Sequence, residues 1–229
     1  MLDPTLFQHE RADAARLLAI SGYRGAVRDL LTLFFEQSSK DDLYTTALTL
    51  EHLKDRRAVP PLITALLGDA NPHRRHAAAR ALGWILPSNR AAAQAFAQCL
   101  IDSSQPQAAR EEAAESLAYV GNHQTVDALI TALRDPDVRI RFWAAFGLGG
   151  SCRGDLRAIR ALESVLDDGD TPPGNWWPVG KEALAMLSMQ PPVRDRYQAR
   201  LTAEIAKVGS DPNASDADRR WASSYGYGE

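Results

Sequence analysis

The sequence predicts an all-α protein, an α-solenoid of about six stacked helix pairs. Three observations carry that prediction. An Ala-x-x-Leu pair recurs at near-constant spacing. An amphipathic stripe follows each of the first five copies. Glycine, proline and Asx residues stand between these segments.

The copies are Ala15/Leu18, Ala47/Leu50, Ala79/Leu82, Ala114/Leu117 and Ala145/Leu148, with a weaker sixth at Ala183/Met186. Successive alanines lie 32, 32, 35, 31 and 38 residues apart. Each copy sits in a run of helix formers, as in HAAARALGWI (76–85) and EEAAESLAYV (111–120), and opens a pair as its first helix. The second helices carry apolar residues at i, i+3, i+4 and i+7. These are Val27/Leu30/Leu31/Phe34, Val59/Leu62/Ile63/Leu66, Ala93/Phe96/Ala97/Leu100 and Val126/Leu129/Ile130/Leu133. The fifth set, Ile159/Leu162/Leu166, has Glu163 in the stripe. That spacing puts one apolar stripe on each helix. A single pair leaves apolar surface uncovered, so the pairs must stack.

Punctuation agrees. Pro60 and Pro61 fall in the first turn of a second helix, where a missing N–H costs little. Gly22, Gly121 and Gly149-Gly150 follow first helices, where helix ends favour glycine. Asp69-Ala-Asn-Pro72 and Asp135-Pro136-Asp137 read as turns between pairs. Arg11, Arg75, Arg110 and Arg141 stand four residues before a repeat alanine, with Leu43 and Val179 in the same column. Glu36, Asp69, Asp102, Asp135 and Asp167-Asp168 follow the second helices. Columns with the period of the fold are a structural ladder between layers, not a catalytic row.

The strings DANPHRRHAAARALGWI (69–85) and DPDVRIRFWAAFGLGG (135–150) resemble the HEAT-like repeats first named for phycobilisome lyases. The resemblance covers about residues 10–190. It implies the solenoid fold and a role in protein–protein contact, since a few members only are enzymes. It also implies a competing role as a lyase-like or lyase-accessory protein that receives a tetrapyrrole. Helical-repeat DNA glycosylases give a third reading, but acids outnumber Lys and Arg by 29 to 26, which disfavours nucleic acid.

Departures from the repeat mark the candidate site. The two positions that precede the repeat alanine by three and two residues are Ala12/Asp13, Tyr44/Thr45, His76/Ala77 and Glu111/Glu112, then become Phe142/Trp143. The longest connection, DDGDTPPGNWWPVG (167–180), brings Trp176 and Trp177. Both features belong at the start of a first helix, so Phe142, Trp143, Trp176 and Trp177 are expected on one edge. Arg139 and Arg141 would stand at its rim, the make-up of a partner-binding hot spot. A local mini-core, with the connection folded back, is the other reading of the same residues. In a column two residues after each repeat leucine (Ile20, His52, Trp84, Tyr119, Gly150, Ser188), the consecutive His52, Trp84 and Tyr119 would make a stripe on the outer face; cover of helix junctions is the favoured reading. On the second helices, Thr32, Thr64, Gln98, Thr131 and Ser164, together with Asp29, Pro61, Ala95, Ala128 and Ala161, predict a smooth, weakly charged groove. Such a groove suits a helix or an apolar small molecule.

No catalytic constellation is legible. GxSxG, GxxxxGK[ST] and GxGxxG are absent. His73 and His76 lack a carboxylate to complete a metal set, so no metal and no cofactor is expected. His9-Glu10 is similar to the His-Glu pairs of iron-binding HEAT-like hydroxylases, which repeat the pair; here it occurs once, outside the register. Cys99 and Cys152 match no redox spacing. No run reaches the roughly eighteen apolar residues of a membrane span, and MLDPTLFQHE lacks a signal-like apolar region, so a cytoplasmic protein is expected. The sequence thus predicts one right-handed repeat domain over residues 4–208. Residues 209–229 form a tail or short capping helix, in which Ser215-x-x-Asp218 caps a turn and Trp221 covers the end of the stack. Leu6 and Phe7 are expected to cover the other end. The expected partner is an unidentified protein or peptide, or a second copy in a homodimer, held without catalysis.

Overall fold

The computed structural model describes residues 10, 13–14, 17, 20–23, 25–85, 89–120, 125–174 and 176–226. The expectations for Ala15/Leu18, Arg11, Ala12, His9, Leu6, Phe7 and Gly121 lie outside the described residues. Among the described residues there are twelve α-helices and no strand, the α-solenoid class that the periodicity predicts. The chain divides into two compact units, Met1–Ser116 and Leu117–Glu229.

In the first unit, α1 (Ala26–Glu36) is a second helix and α2 (Lys40–Leu53) the next first helix. A 3-10 turn, Arg56–Ala58, then leads into α3 (Val59–Gly68), with Pro60 and Pro61 in its opening turn as predicted. α4 (Pro72–Ile85) and α5 (Arg90–Ile101) make the next pair, and α6 (Gln107–Val120) begins the one after. The division between the units falls inside α6. In the second unit, α7 (Val126–Ala132) is followed by the pair α8 (Val138–Gly150) and α9 (Leu156–Glu163). The last pair is α10 (Val179–Ser188) and α11 (Arg194–Ser210), and α12 (Asp216–Tyr225) closes the chain.

The core is the predicted one. Ala47, Ala79, Ala114, Ala145 and Ala183 are all fully buried, and so are their Leu and Met partners. A methyl group at the contact lets first helices pack closely, α2 on α4 in one unit and α8 on α10 in the other. On the second helices the i, i+3 and i+7 residues are buried, except Leu166 of the fifth set, which is half-buried. The i+4 residues Leu31, Ile63, Ala97 and Ile130 are only half-buried, which tilts the stripe toward one edge.

The ladder exists, with a change of chemistry. Arg74, beside the predicted Arg75, holds both Asp69 carboxylate oxygens at 2.8 and 2.9 Å. It also donates to the carbonyls of Phe34 and Gln37. Arg75 donates to the Asp69 carbonyl at 2.7 Å and Arg110 to the Leu100 carbonyl at 3.0 Å. The guanidiniums therefore satisfy carbonyls at the C-terminal ends of second helices, which have no partner inside their own helix. Gly149 and Gly150 also differ from expectation: they lie within α8, and a Cβ on Gly149 would meet Met186 Cβ at 2.3 Å. Close approach of α8 and α10, not a left-handed cap, selects glycine there.

Gly180, at the start of α10, makes the tightest such approach to backbone. Its N–H donates to the Asp168 carbonyl at 2.8 Å, and a Cβ would stand 2.4 Å from the Leu166 carbonyl oxygen. Gly180→Ala is expected to lower stability by about 2 kcal/mol or more, since a carbonyl cannot move aside like a side chain. Gly209, in α11, has open space around it, so Gly209→Ala should raise stability by about 0.5 kcal/mol. Thermal melts of the two variants read these opposite signs.

Candidate functional site

The start of α8 and the connection before α10 come together because the connection folds back. Val179 N–H donates to the Asp170 carbonyl at 3.0 Å, beside the Gly180 bond to Asp168. Arg141 fixes the same turn from α8. Its Nε donates to Asp168 at 2.9 Å, a terminal nitrogen to Asp170, and the other to the Asp135 and Pro136 carbonyls. Arg141 is thus spent on the ladder rather than at the rim of a binding site. Burial alone would push its guanidinium down, but the bonds to Asp168 and Asp170 outweigh it and hold the pKa above the ordinary value.

The four predicted aromatic residues meet. Phe142 is buried at the base, its ring centroid 4.9 Å from Trp176 and 6.0 Å from Trp177. Trp143 lies 5.5 Å from Trp176, near perpendicular, and both are half-buried. Offset and edge-to-face contacts of this kind favour each other by about 1 kcal/mol per pair beyond burial. Two residues missed by sequence reasoning extend the edge. Tyr119, 59% exposed, lies 6.0 Å from Trp143, and Phe146 lies 5.8 Å from it. Trp143 and Phe146 are three apart on one helix, a spacing that places them side by side and was a readable signal. Tyr119 belongs to the column assigned to helix junctions. That column divides: His52, Trp84, Tyr119 and Gly150 are exposed, whereas Ser188 is buried. Arg139 is exposed at the N-terminal turn of α8, which Asp137 caps.

Behind the edge lies a second missed group, Glu182, with no exposure to solvent. Trp177 Nε1 donates to one carboxylate oxygen at 2.6 Å, and the Tyr225 hydroxyl lies 3.0 Å from both. Loss of water pushes the Glu182 pKa up to about 7, although the two bonds pull it down. Burial and the neighbouring carboxylate also raise that of Tyr225. The sequence held a clue. From the second repeat on, the residue before the repeat alanine is Thr46, Ala78, Ala113, Ala144 and then Glu182, all of them buried. Trp177 is therefore divided between the two readings, one ring face in the cluster and its N–H in this buried triad.

The triad ties down the C-terminal helix. Ser215 and Asp218 form the predicted capping box of α12. Trp221 is fully buried, donating to the Lys181 carbonyl at 3.2 Å, with the Lys181 ammonium 4.8 Å above its ring. Lys181 also pairs with Asp218.

On the second helices Thr32, Thr64, Gln98, Thr131 and Ser164 are exposed as predicted. The hydroxyls of Thr32, Thr64 and Thr131 bond carbonyls four residues back, so they offer a partner little polarity. Asp29, Ala95 and Ala128 are buried, contrary to expectation, because that column turns toward neighbouring helices. The two cysteines are buried, and loss of water pushes both thiols up to about 12, which leaves no thiolate at neutral pH. No group of three His, Cys, Asp or Glu side chains arranged for a metal occurs among the described residues, and no described helix is long and apolar enough to cross a membrane.

Residues 27–107 and 93–173 match the family described as HEAT repeats, whose members generally act as protein-interaction scaffolds. Among solved structures, an engineered protein is 19% identical with a TM-score of 0.54, over 96% of this chain and 65% of its own. The chain thus spans about two thirds of that protein's length. A second engineered protein is 20% identical with a TM-score of 0.49, over 86% of this chain and 91% of its own. Human deoxyhypusine hydroxylase in complex with glycerol is 19% identical with a TM-score of 0.36, over 97% of this chain and 91% of its own. The first likeness shows the fold alone; the other two add no argument. No curated protein matches the chain.

Because the folded-state pKa of Glu182 lies above the ordinary 4.5, the folded state holds the extra proton between those values. Stability from this group is full below about pH 4.5 and is lost as pH rises through about 7. Glu182→Gln keeps the shape without the charge. It should remove this fall in stability and exceed the wild type by on the order of 2 kcal/mol at mildly alkaline pH. Urea melts across the acidic-to-alkaline range measure it.

Proposed function

The chain belongs to the HEAT-repeat family, and from that premise we propose a non-enzymatic interaction module that holds a partner protein at its aromatic edge and along its second helices. The observation that carries this reading is the pair Trp143 and Trp176, half-exposed over a buried Phe142. Rings already held by their neighbours lose little freedom on binding, and tryptophan is the residue that most often anchors an interface. Tyr119 and Phe146 extend the anchor, and Arg139 adds a guanidinium at the rim. The group with the most unusual titration, Glu182, is sealed from solvent and bonded on both oxygens, which favours a structural role over a catalytic one.

In this reading the repeat array runs over residues 4–208, and residues 209–229 end it through Trp221. The protein works in the cytoplasm, where unpaired cysteines such as Cys99 and Cys152 persist. Self-pairing through the same edge is the competing occupant.

Trp143→Ala/Trp176→Ala is the variant that tests the edge, since Trp177→Ala would also strip a bond from Glu182. Capture of a defined partner from source-cell lysate should fall by about tenfold or more, with far-ultraviolet helicity unchanged. Capture that persists removes the edge from the site. Concentration-dependent sedimentation that is abolished by the same variant would make the partner a second copy.

A further inference from the structure

The aromatic edge leaves unexplained the face of the second helices in the C-terminal unit. A cavity of about 340 Å³ opens there between α7 and α9, lined by Ile130, Leu133, Arg134, Arg157, Arg160 and Ala161, with Ser164 at its margin. Its floor is apolar: Ile130 is the half-buried i+4 residue of its stripe, and Leu133 and Ala161 continue the surface. Three guanidiniums stand around that floor. Arg157 is spent, since it pairs with Asp155 at 2.8 Å and Asp127 at 2.9 Å. Arg134 and Arg160 are exposed, and neither has a carboxylate partner among the described residues. The sequence prediction of a weakly charged groove fails here because these arginines lie outside the columns on which it rested.

We propose that this cavity seats an acidic segment of a partner protein, carboxylates at Arg134 and Arg160 and an adjacent apolar side chain on the Ile130–Leu133–Ala161 floor. The inference rests on the protein-binding reading and names the chemistry of the partner. Guanidinium forks match carboxylates in a planar, two-bond geometry. The surroundings argue against a nucleic-acid backbone. A phosphate chain needs a longer run of cations, whereas Asp127, its side chain 80% exposed, lies beside the cavity and the whole chain carries a net charge of −3. An apolar floor gives a phosphate chain nothing, but it takes a leucine or valine side chain from a peptide. The N-terminal unit repeats the composition independently. A cavity of about 420 Å³ there is lined by Val27, Leu31 and Phe35 with Arg28 and with Arg57, which like Arg157 is held by an aspartate (Asp55, 2.7 Å), and Leu31 occupies the same stripe position as Ile130.

The test is fluorescence anisotropy of a fluorescein-labelled peptide of alternating glutamate and leucine, titrated with the full chain. Saturable binding is expected, and Arg134→Gln/Arg160→Gln should weaken it about tenfold. The melting temperature should not change, because both side chains are exposed. A glutamine–leucine peptide should not bind. Absent binding by the wild type, or binding indifferent to the double variant, overturns the proposal. Tighter binding of a labelled oligothymidylate than of the peptide also overturns it and assigns the cavity to nucleic acid. Partner capture that depends on Trp143 but ignores Arg134 and Arg160 overturns this inference alone. Capture indifferent to Trp143 overturns the edge reading, which a different variant reports.

Discussion

No helix pair in this chain can cover its own apolar surface, and every other feature depends on that constraint. Each first helix from α2 on has an alanine at its contact point, with a leucine or methionine three residues on, and both are buried only because the neighbouring layer sits on them. Small residues at the contact bring the layers close enough for arginines to reach free carbonyls of earlier second helices, Arg110 that of Leu100 in the preceding one and Arg74 that of Phe34 in the one before it. Burial supplies the driving force, and the guanidinium bonds fix the register between layers.

A stack of this kind has ends and interruptions, and this chain puts its unusual residues there. Where the connection before α10 lengthens, Arg141 pins it and the four aromatic rings pack over the join. The buried Glu182 carboxylate then joins that connection, α10 and α12 through Trp177 and Tyr225. In the proposed reading, fold and recognition share residues at this edge. Phe142 and Arg141 are committed to the fold, Trp177 is divided, and Trp143, Trp176 and Tyr119 keep exposed surface. The mini-core reading describes the buried layer of this cluster, and the proposed hot spot is its exposed layer.

The fold was legible because its information is periodic. Spacing alone located the repeat alanines, the second-helix stripes, the proline turn at Pro60-Pro61 and the capping box at Ser215. Proximity between Phe142-Trp143 and Trp176-Trp177 was legible too, since both interrupt the repeat at the same point in its register. What stayed hidden depends on which side of a helix a residue faces once the layers are in place. Arg74 rather than Arg75 reaches the Asp69 carboxylate, and Asp29 turns inward while Thr32 faces out. Tyr225 reaches Glu182 across more than forty residues of chain, a contact no local spacing encodes. Arg134 and Arg160 converge from two successive second helices, so neither is remarkable within its own segment.

The central claim is that each layer is held by its immediate neighbours, with α12 covering the last one. Native-state hydrogen exchange on Trp221→Ala tests it most directly, because this fully buried ring is the main contact of the cap. The account predicts faster exchange in α10, α11 and the connection at 167–178, a smaller change in α8, and unaltered protection in α2 through α5. Unchanged protection in α10, or an equal loss in every helix of the chain, would contradict it.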